Sequence, residues 1–178
     1  MTVKVLPVGE IGTNCYFITD TDGSAAILDP GAQADKIIRA VEQNGWSPKI
    51  ILLTHGHFDH IGAVEELKNR YHIPVYIHQD DAEMLRSPEK NGGIALMDRP
   101  VTASYDKTFA DGSEIPMGNI LFRVIHTPGH TKGSVCYQAE NWIFSGDTLF
   151  NGGIGRTDLY GGSYPQVRES LKKVGALE

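Results

Sequence analysis

The pattern of apolar positions predicts β-strands at the start of the chain. Three short runs, VKVLPV, NCYFIT and SAAILD, are separated by turn sequences rich in glycine and aspartate, as in a β-meander. A helix is predicted in ADKIIRAVEQNG, where Ile37, Ile38 and Val41 share one face and Gly45 ends the pattern. The next run, KIILLT, is apolar without alternation, which is typical of a strand covered on both faces.

Helical and strand patterns continue to alternate in the middle of the chain. Ile61, Val64 and Leu67 recur at three-residue steps and predict a second helix, which ends shortly before a strand at VYIH. The segment DDAEMLRS predicts a short helix in which Asp80 and Glu83 form a capping box. These elements alternate in the way expected of a sheet with covering helices.

A long surface loop is predicted at residues 87–105, which have little periodicity and several prolines and glycines. Such loops often serve as lids. Strands follow at ILFRVIH, SVCYQA and WIFSG, and a last helix at YPQVRESLKK, with Ser163 as its cap and Pro165 in its first turn. The pattern predicts an α+β fold with two sheets face to face and helices outside, a four-layer αββα sandwich. The length of 178 residues suits a single domain over residues 1–178.

Charge and composition narrow the classes of partner. The formal net charge is −6 and basic residues do not cluster, which argues against a nucleic-acid partner. We find neither a membrane-length apolar stretch nor the apolar region of a signal peptide, so we expect a cytoplasmic protein without a membrane partner. The two cysteines, Cys15 and Cys136, stand alone among apolar neighbours and are expected to be reduced. No feature of the sequence indicates an oligomeric state.

Metal binding is indicated by THGHFDH, which directly follows the buried strand KIILLT. Imidazole and carboxylate are ligands for zinc and similar cations, and so dense a cluster would be unfavourable without a metal. Two more apolar strands, in RVIHTPGH and WIFSGD, also lead into turns with a potential ligand. We expect these turns to converge, with the last carboxylate able to bridge two ions. The candidate ligands are His55, His57, Asp59, His60, His130 and Asp147.

The motifs TxHxHxDH, TPGHT, SGDTLF and GRTD resemble those of the metallo-β-lactamase superfamily, within its glyoxalase II-like branch. The resemblance covers essentially the whole chain and implies the αββα fold of that family. It also implies a first metal bound by His55, His57 and His130. A second metal would be bound by Asp59 and His60, with Asp147 between the two ions.

Three further residues match the family in supporting positions. Asp29 in ILDPG matches an aspartate that orients a ligand from behind, although a plain turn residue before proline explains it equally well. Arg156 and Asp158 of GRTD match the branch, and we expect an ion pair between them that shapes the site.

One expected ligand is not found. Family members supply the second metal with a last histidine, in a Pro-Gly-His-Gly turn, and no such turn occurs between the last helix and Glu178. We therefore expect the domain to lack the family's C-terminal end with this ligand, so that the second site is incomplete. Either the sequence is a truncated form, or another group such as water fills the position, or the protein works with one metal. The extension with which glutathione-dependent glyoxalase II enzymes grip their substrate is also not found.

The resemblance implies a metal-dependent hydrolase of a small thioester or ester, containing one or two zinc ions, or else iron or manganese. A metal-bound hydroxide oriented by Asp59 would attack the carbonyl, because coordination lowers the pKa of water to about 7. A first alternative is a mononuclear iron persulfide dioxygenase, with His55, His130 and Asp147 as ligands. A second is a non-catalytic metal-binding relative. β-Lactamase activity is less expected, since GRTD matches the glyoxalase II-like branch and no secretion signal is found.

Overall fold

Two β-sheets form the centre of the computed structural model, which describes residues 1–177. The strands of the first sheet lie in chain order: β1 (Thr2–Val8), β2 (Thr13–Thr19), β3 (Ser24–Leu28), β4 (Ser47–Leu52), β5 (Val75–His78) and β6 (Lys107–Phe109). β1 to β3 pair antiparallel, whereas β3 to β6 pair parallel. The second sheet is antiparallel in the order β10-β9-β8-β7, with strands β7 (Glu114–Met117), β8 (Ile120–His126), β9 (Val135–Ala139) and β10 (Trp142–Phe144).

Helices cover the outer faces of both sheets. They are α1 (Ala34–Asn44), α2 (Phe58–Ile61), α3 (Val64–Tyr71), α4 (Gly93–Met97) and α5 (Tyr164–Gly175). α1 ends where Gly45 adopts a left-handed φ of 65°, as its position after the helical pattern predicted. No helix within residues 1–177 is long and apolar enough to cross a membrane.

Three apolar clusters hold the layers together. Leu52 of the first sheet and Phe122 and Tyr137 of the second belong to the cluster between the sheets. Ile51, next to Leu52, faces the other way, into the cluster that α1 and α3 form on the first sheet. Val174 of α5 packs on the outer face of the second sheet. The predicted αββα sandwich is confirmed, and so is the burial of KIILLT on both faces.

Several local predictions were wrong. The helix predicted through residues 61–67 is divided into α2 and α3, because Ala63 donates its N–H to the carbonyl oxygen of Pro30 over 2.9 Å and not to a carbonyl of α2. DDAEMLRS forms two 3₁₀ turns without the predicted capping box, and the side chain of His78 accepts the Asp80 N–H instead. The predicted loop at residues 87–105 contains α4, and β6 and β7 were not predicted. Ser163 precedes α5, but its hydroxyl makes no capping hydrogen bond.

Candidate metal centre

The turn after β4 carries four of the six predicted ligands. α2 begins at Phe58, so Asp59 and His60 lie in its first turn, while His55 and His57 precede it. The side chains of all three histidines are buried. Val135 of β9 donates its N–H to the carbonyl of Thr54 over 2.9 Å, which joins this turn to the second sheet.

Three imidazoles meet at one point. His130 Nε2 lies 2.9 Å from His57 Nδ1 and 3.1 Å from His55 Nε2. A tetrahedral zinc ion with Zn–N bonds of about 2.0–2.1 Å would hold its nitrogen ligands roughly 3.3 Å apart, close to this spacing. These three residues therefore form a group able to hold a metal ion.

A second group of ligand atoms lies beside the first. His60 Nε2 is 3.5 Å from Asp59 Oδ2 and 3.3 Å from Asp147 Oδ1. The other oxygen of Asp147 is 3.5 Å from His130 Nε2. Asp147 thus directs one carboxylate oxygen toward each group, which is the geometry required of a residue that bridges two cations. All six predicted ligands come together in the structure.

Electrostatics keep the first group neutral. Burial, followed by repulsion from neighbouring imidazoles, lowers the pKa of His55 well below its usual value and the pKa of His57 to about 3. Burial also lowers the pKa of His130. Neutral imidazole is the form of histidine that binds metals, so these rings are in the required state.

The second group instead favours positive charge. Burial by itself would lower the pKa of His60, but the carboxylates around it, Asp29 foremost, raise that pKa well above its usual value. Burial would raise the pKa of Asp147, and the hydrogen bond and charge of His60 outweigh it and lower that pKa. A divalent cation would supply the positive charge that these carboxylates favour.

Asp29 supports the ligands from behind. Its Oδ1 accepts the Thr54 N–H over 2.8 Å, and its Oδ2 accepts the Thr54 hydroxyl over 2.7 Å. The same Oδ2 lies 3.0 Å from His60 Nδ1, and Thr54 Oγ1 lies 3.1 Å from His55 Nδ1. Asp29 also has the left-handed φ of 51° expected of a turn residue. Its contacts and its backbone conformation therefore fit both of the interpretations considered for it.

The GRTD segment contributes through its backbone as well as its side chains. His130 Nδ1 donates to the carbonyl oxygen of Arg156 over 2.7 Å, which leaves Nε2 free to bind a metal. Arg156 and Asp158 form a bidentate ion pair, with Nε–Oδ1 2.7 Å and Nη2–Oδ2 2.8 Å. The pair is present as expected, but both side chains are exposed, so it adds little to stability.

Asp81, whose side chain is fully buried, was not among the predicted site residues. Its Oδ2 accepts the Gly56 N–H at 3.0 Å and the Thr131 hydroxyl at 2.7 Å, and its Oδ1 accepts the Gly133 N–H at 2.7 Å. Asp81 therefore contacts both ligand-bearing turns. The predicted capping box involved Asp80, its neighbour. The side chain of Asp81 is buried because the segment forms 3₁₀ turns and not the predicted helix.

Four of the six candidate ligands, namely His57, Asp59, His130 and Asp147, line an open cavity of about 330 Å³. Its wall combines polar residues of the metal centre with apolar side chains from separate segments, namely the exposed Ile11, Leu96 and Phe150 and the half-buried Leu159. A second cavity of about 480 Å³ extends from Asp59 along the β1–β2 turn to residues 97–102. The predicted loop at residues 87–105 thus borders the site, as a substrate-covering segment would.

Three other histidines lie outside this centre. His72 ends α3 with a left-handed φ of 53°. His78 and His126 come close to Asp80, but their rings are stacked, with centroids 4.2 Å apart and planes inclined by 13°. Lone pairs of stacked imidazoles lie in parallel planes and do not converge on one ion. His126 Nε2 instead lies 2.8 Å from the carbonyl oxygen of Lys132.

Comparison with known families agrees with this geometry. The model of the family described as "Metallo-beta-lactamase superfamily" matches residues 8–178. The chain belongs to the metallo-beta-lactamase superfamily. The resemblance stated from the motifs is therefore confirmed.

Curated relatives of this superfamily member are similar over almost all of its length. "Probable metallo-hydrolase YqgX" of Bacillus subtilis is 41% identical over 174 residues, which cover 96% of this chain and 82% of the relative. "Hydroxyacylglutathione hydrolase GloC" of Haemophilus influenzae is 34% identical over 179 residues, covering 97% of this chain and 83% of the relative. These relatives support a metallo-hydrolase.

Several proteins of solved structure have the same fold, although their names differ. BLEG-1, a B3 metallo-beta-lactamase, has a TM-score of 0.93 and 40% identity, covering 96% of this chain and 84% of its own. TTHA1623 in a di-iron-bound form has a TM-score of 0.88 and 31% identity, with coverage of 98% and 87%. ETHE1 from Myxococcus xanthus has a TM-score of 0.81 and 28% identity, with coverage of 98% and 69%.

Proposed function

We propose that this protein is a metal-dependent hydrolase of a small thioester or ester, similar to glyoxalase II. The observation that carries the proposal is the convergence of three neutral imidazoles, those of His55, His57 and His130, beside the carboxylates of Asp59 and Asp147 in an open cavity. The names of the relatives add support, because they include a metallo-hydrolase and two hydroxyacylglutathione hydrolases at 34% and 35% identity.

The donor set fits a divalent metal. Three nitrogen ligands suit zinc, and nitrogen combined with carboxylate oxygen also suits iron or manganese. We propose His55, His57 and His130 as ligands of a first ion, and Asp59 and His60 as ligands of a second, with Asp147 shared. When bound, the metal supplies Lewis acidity, which activates water at neutral pH and polarises a carbonyl.

The protein's own groups orient the reactants. Thr13 donates its hydroxyl to Asp59 Oδ2 over 2.9 Å and so fixes the direction of that carboxylate. We propose that Asp59 orients the attacking water and accepts its proton. Ile11, Leu96 and Phe150 line the mouth of the cavity, where they can hold the organic part of the substrate and exclude bulk water.

The test is hydrolysis of S-lactoylglutathione and of simpler thioesters by protein loaded with zinc, manganese or iron. We expect turnover that a chelator abolishes and metal restores. Asp59→Asn should lose most of this activity, whereas Asp35→Asn, at an exposed position on α1, should keep it. No metal-dependent turnover of any thioester or ester would refute the proposal. Nitrocefin serves as a parallel substrate, because BLEG-1 is named as a β-lactamase.

A persulfide dioxygenase is the second candidate, favoured by one observation. His130 Nε2 lies 3.1 Å from His55 Nε2 and 3.5 Å from Asp147 Oδ2, so two histidines and one carboxylate come together as in mononuclear iron sites. Oxygen uptake by the iron-loaded protein with glutathione persulfide tests it. Zinc in the purified protein with no oxygen uptake after iron loading would exclude it.

A non-catalytic metal-binding protein is the third candidate, and it predicts tight metal binding without turnover in either assay.

We also propose a cytoplasmic location. Its support is that Cys15 and Cys136 are both free and buried, as is common in a reducing compartment.

A further inference from the structure

A carboxylate outside the proposed ligand set lies between the two turns that carry most of the ligands. Asp81 belongs to the 3₁₀ turn that follows β5 and contacts none of the proposed ligand side chains by hydrogen bond. One of its oxygens accepts from Gly56, between His55 and His57. The same oxygen accepts from Thr131, next to His130.

The surroundings of Asp81 explain why a carboxylate is needed at this position. Asp81 is fully buried, and its three hydrogen bonds among residues 1–177 all come from neutral donors. Burial raises its pKa, an effect that the donors at Thr131, Gly133 and Gly56 oppose. A buried carboxylate without a cationic partner is unfavourable unless its acceptor capacity is used. Here it satisfies donors from two turns that are 75 residues apart at His55 and His130.

Close packing reinforces this contact. A Cβ at Gly133 would lie 2.7 Å from the backbone nitrogen of Asp81 and 2.8 Å from its Cγ. A Cβ at Gly56 would lie 2.8 Å from Cβ of Met84, in the next 3₁₀ turn. Both turns therefore approach the Asp81 segment as closely as glycine allows, and the carboxylate fixes their separation.

We propose that Asp81 is a positioning residue that sets the spacing between the His55–His57 turn and the His130 turn, and thereby the affinity of the metal centre. The inference rests on the metal centre of the proposed function but not on its substrate. A second connection, from the Val135 N–H to the Thr54 carbonyl, joins the same layers. Loss of Asp81 should therefore alter the ligand spacing without unfolding the chain.

The test compares Asp81→Asn with the natural protein in competition titrations with Zn²⁺ and a chromophoric chelator. An amide has the same shape but cannot accept at both ends, so one backbone N–H is left unpaired. We expect zinc affinity to fall by about 10- to 100-fold, as for other groups that orient metal ligands. The Co²⁺ visible spectrum should shift as the ligand geometry changes. Asp106→Asn is the matched control, because Asp106 accepts the Val75 N–H away from the centre.

Thr131 provides a milder pair of variants. Thr131→Val removes the hydroxyl that donates to Asp81, and Thr131→Ser keeps it. We expect Val to weaken zinc binding and Ser to restore it. The proposal would be overturned if folded Asp81→Asn bound zinc as tightly as the natural protein and had the same Co²⁺ spectrum. It would also be overturned if the loss of zinc binding were no larger than the loss of folded protein. If Asp81→Asn does not fold, equal affinity of the Val and Ser variants overturns it. A protein that binds zinc but cleaves no thioester or ester would refute the proposed function alone.

Discussion

Removal of the Asp29 carboxylate should destabilise the protein before any metal is considered. In Asp29→Ala, the backbone N–H and the hydroxyl of Thr54 both lose their acceptor, and Thr54 is buried. A buried donor left without a partner costs about 1–3 kcal/mol. Alanine at a φ of 51° adds about 1 kcal/mol of backbone strain. With two unpaired donors and this strain, we expect a loss of about 3–7 kcal/mol in the free energy of unfolding.

Two further variants separate these contributions. Asp29→Gly removes the same acceptor but tolerates the left-handed backbone, so it should recover about 1 kcal/mol relative to alanine. Asp29→Asn keeps one acceptor and tolerates positive φ, so its loss should be about half as large as that of alanine. Urea denaturation of metal-free protein measures all three. A loss below about 1 kcal/mol for Asp29→Ala would show that solvent satisfies Thr54, and would refute this account.

Three other predictions concern the metal and the cavity. Chelation should lower the thermal midpoint, and excess zinc should raise it. Zinc at 1,000 times its dissociation constant should stabilise the folded protein by about 4 kcal/mol. An unchanged midpoint in calorimetry would count against a metal site in the folded state. Gly155→Ala should lose zinc affinity, because its Cβ would lie 2.7 Å from His130 Nδ1 and 2.3 Å from the Asp147 carbonyl oxygen. Equilibrium titration checks this, and Gly153→Ala is the comparison, since a Cβ there would meet no atom within 4 Å and its backbone is not left-handed. Leu96→Ala and Phe150→Ala should raise KM for thioesters more than they lower kcat, since both side chains line the mouth of the cavity; steady-state kinetics showing only a lower kcat would contradict this assignment.

The sequence predicted those parts of the fold whose cause is local. KIILLT is apolar at every position that the sheet buries, so its pattern specifies a strand between two layers. The division between α2 and α3 has a different cause, the hydrogen bond from the Ala63 N–H to the Pro30 carbonyl, which joins residues distant in the sequence. β6 and β7 have only 3 and 4 residues, too few to show an alternating pattern above their polar surroundings.

The candidate site follows the same distinction. The ligands were predictable because THGHFDH concentrates four of them in one segment and because His130 and Asp147 follow apolar strands. Asp81 was not predictable, because it stands beside Asp80 in a polar segment and only the folded chain makes one of the two buried. Its contacts with the ligand-bearing turns are hydrogen bonds from donors 25 and 50 residues away in the sequence.

The order of the parallel strands explains why the central ligand turn is held from two sides. β3, β4 and β5 are neighbours and run in the same direction, so the segments that follow them emerge at one edge of the sheet. Asp29 follows β3 and Asp81 follows the end of β5, so a carboxylate lies on each side of the turn that follows β4. Each accepts a backbone N–H from that turn, one at Thr54 and the other at Gly56. Because both anchors derive from the sheet itself, the position of the histidines depends on the strand order more than on the flexibility of their own turn.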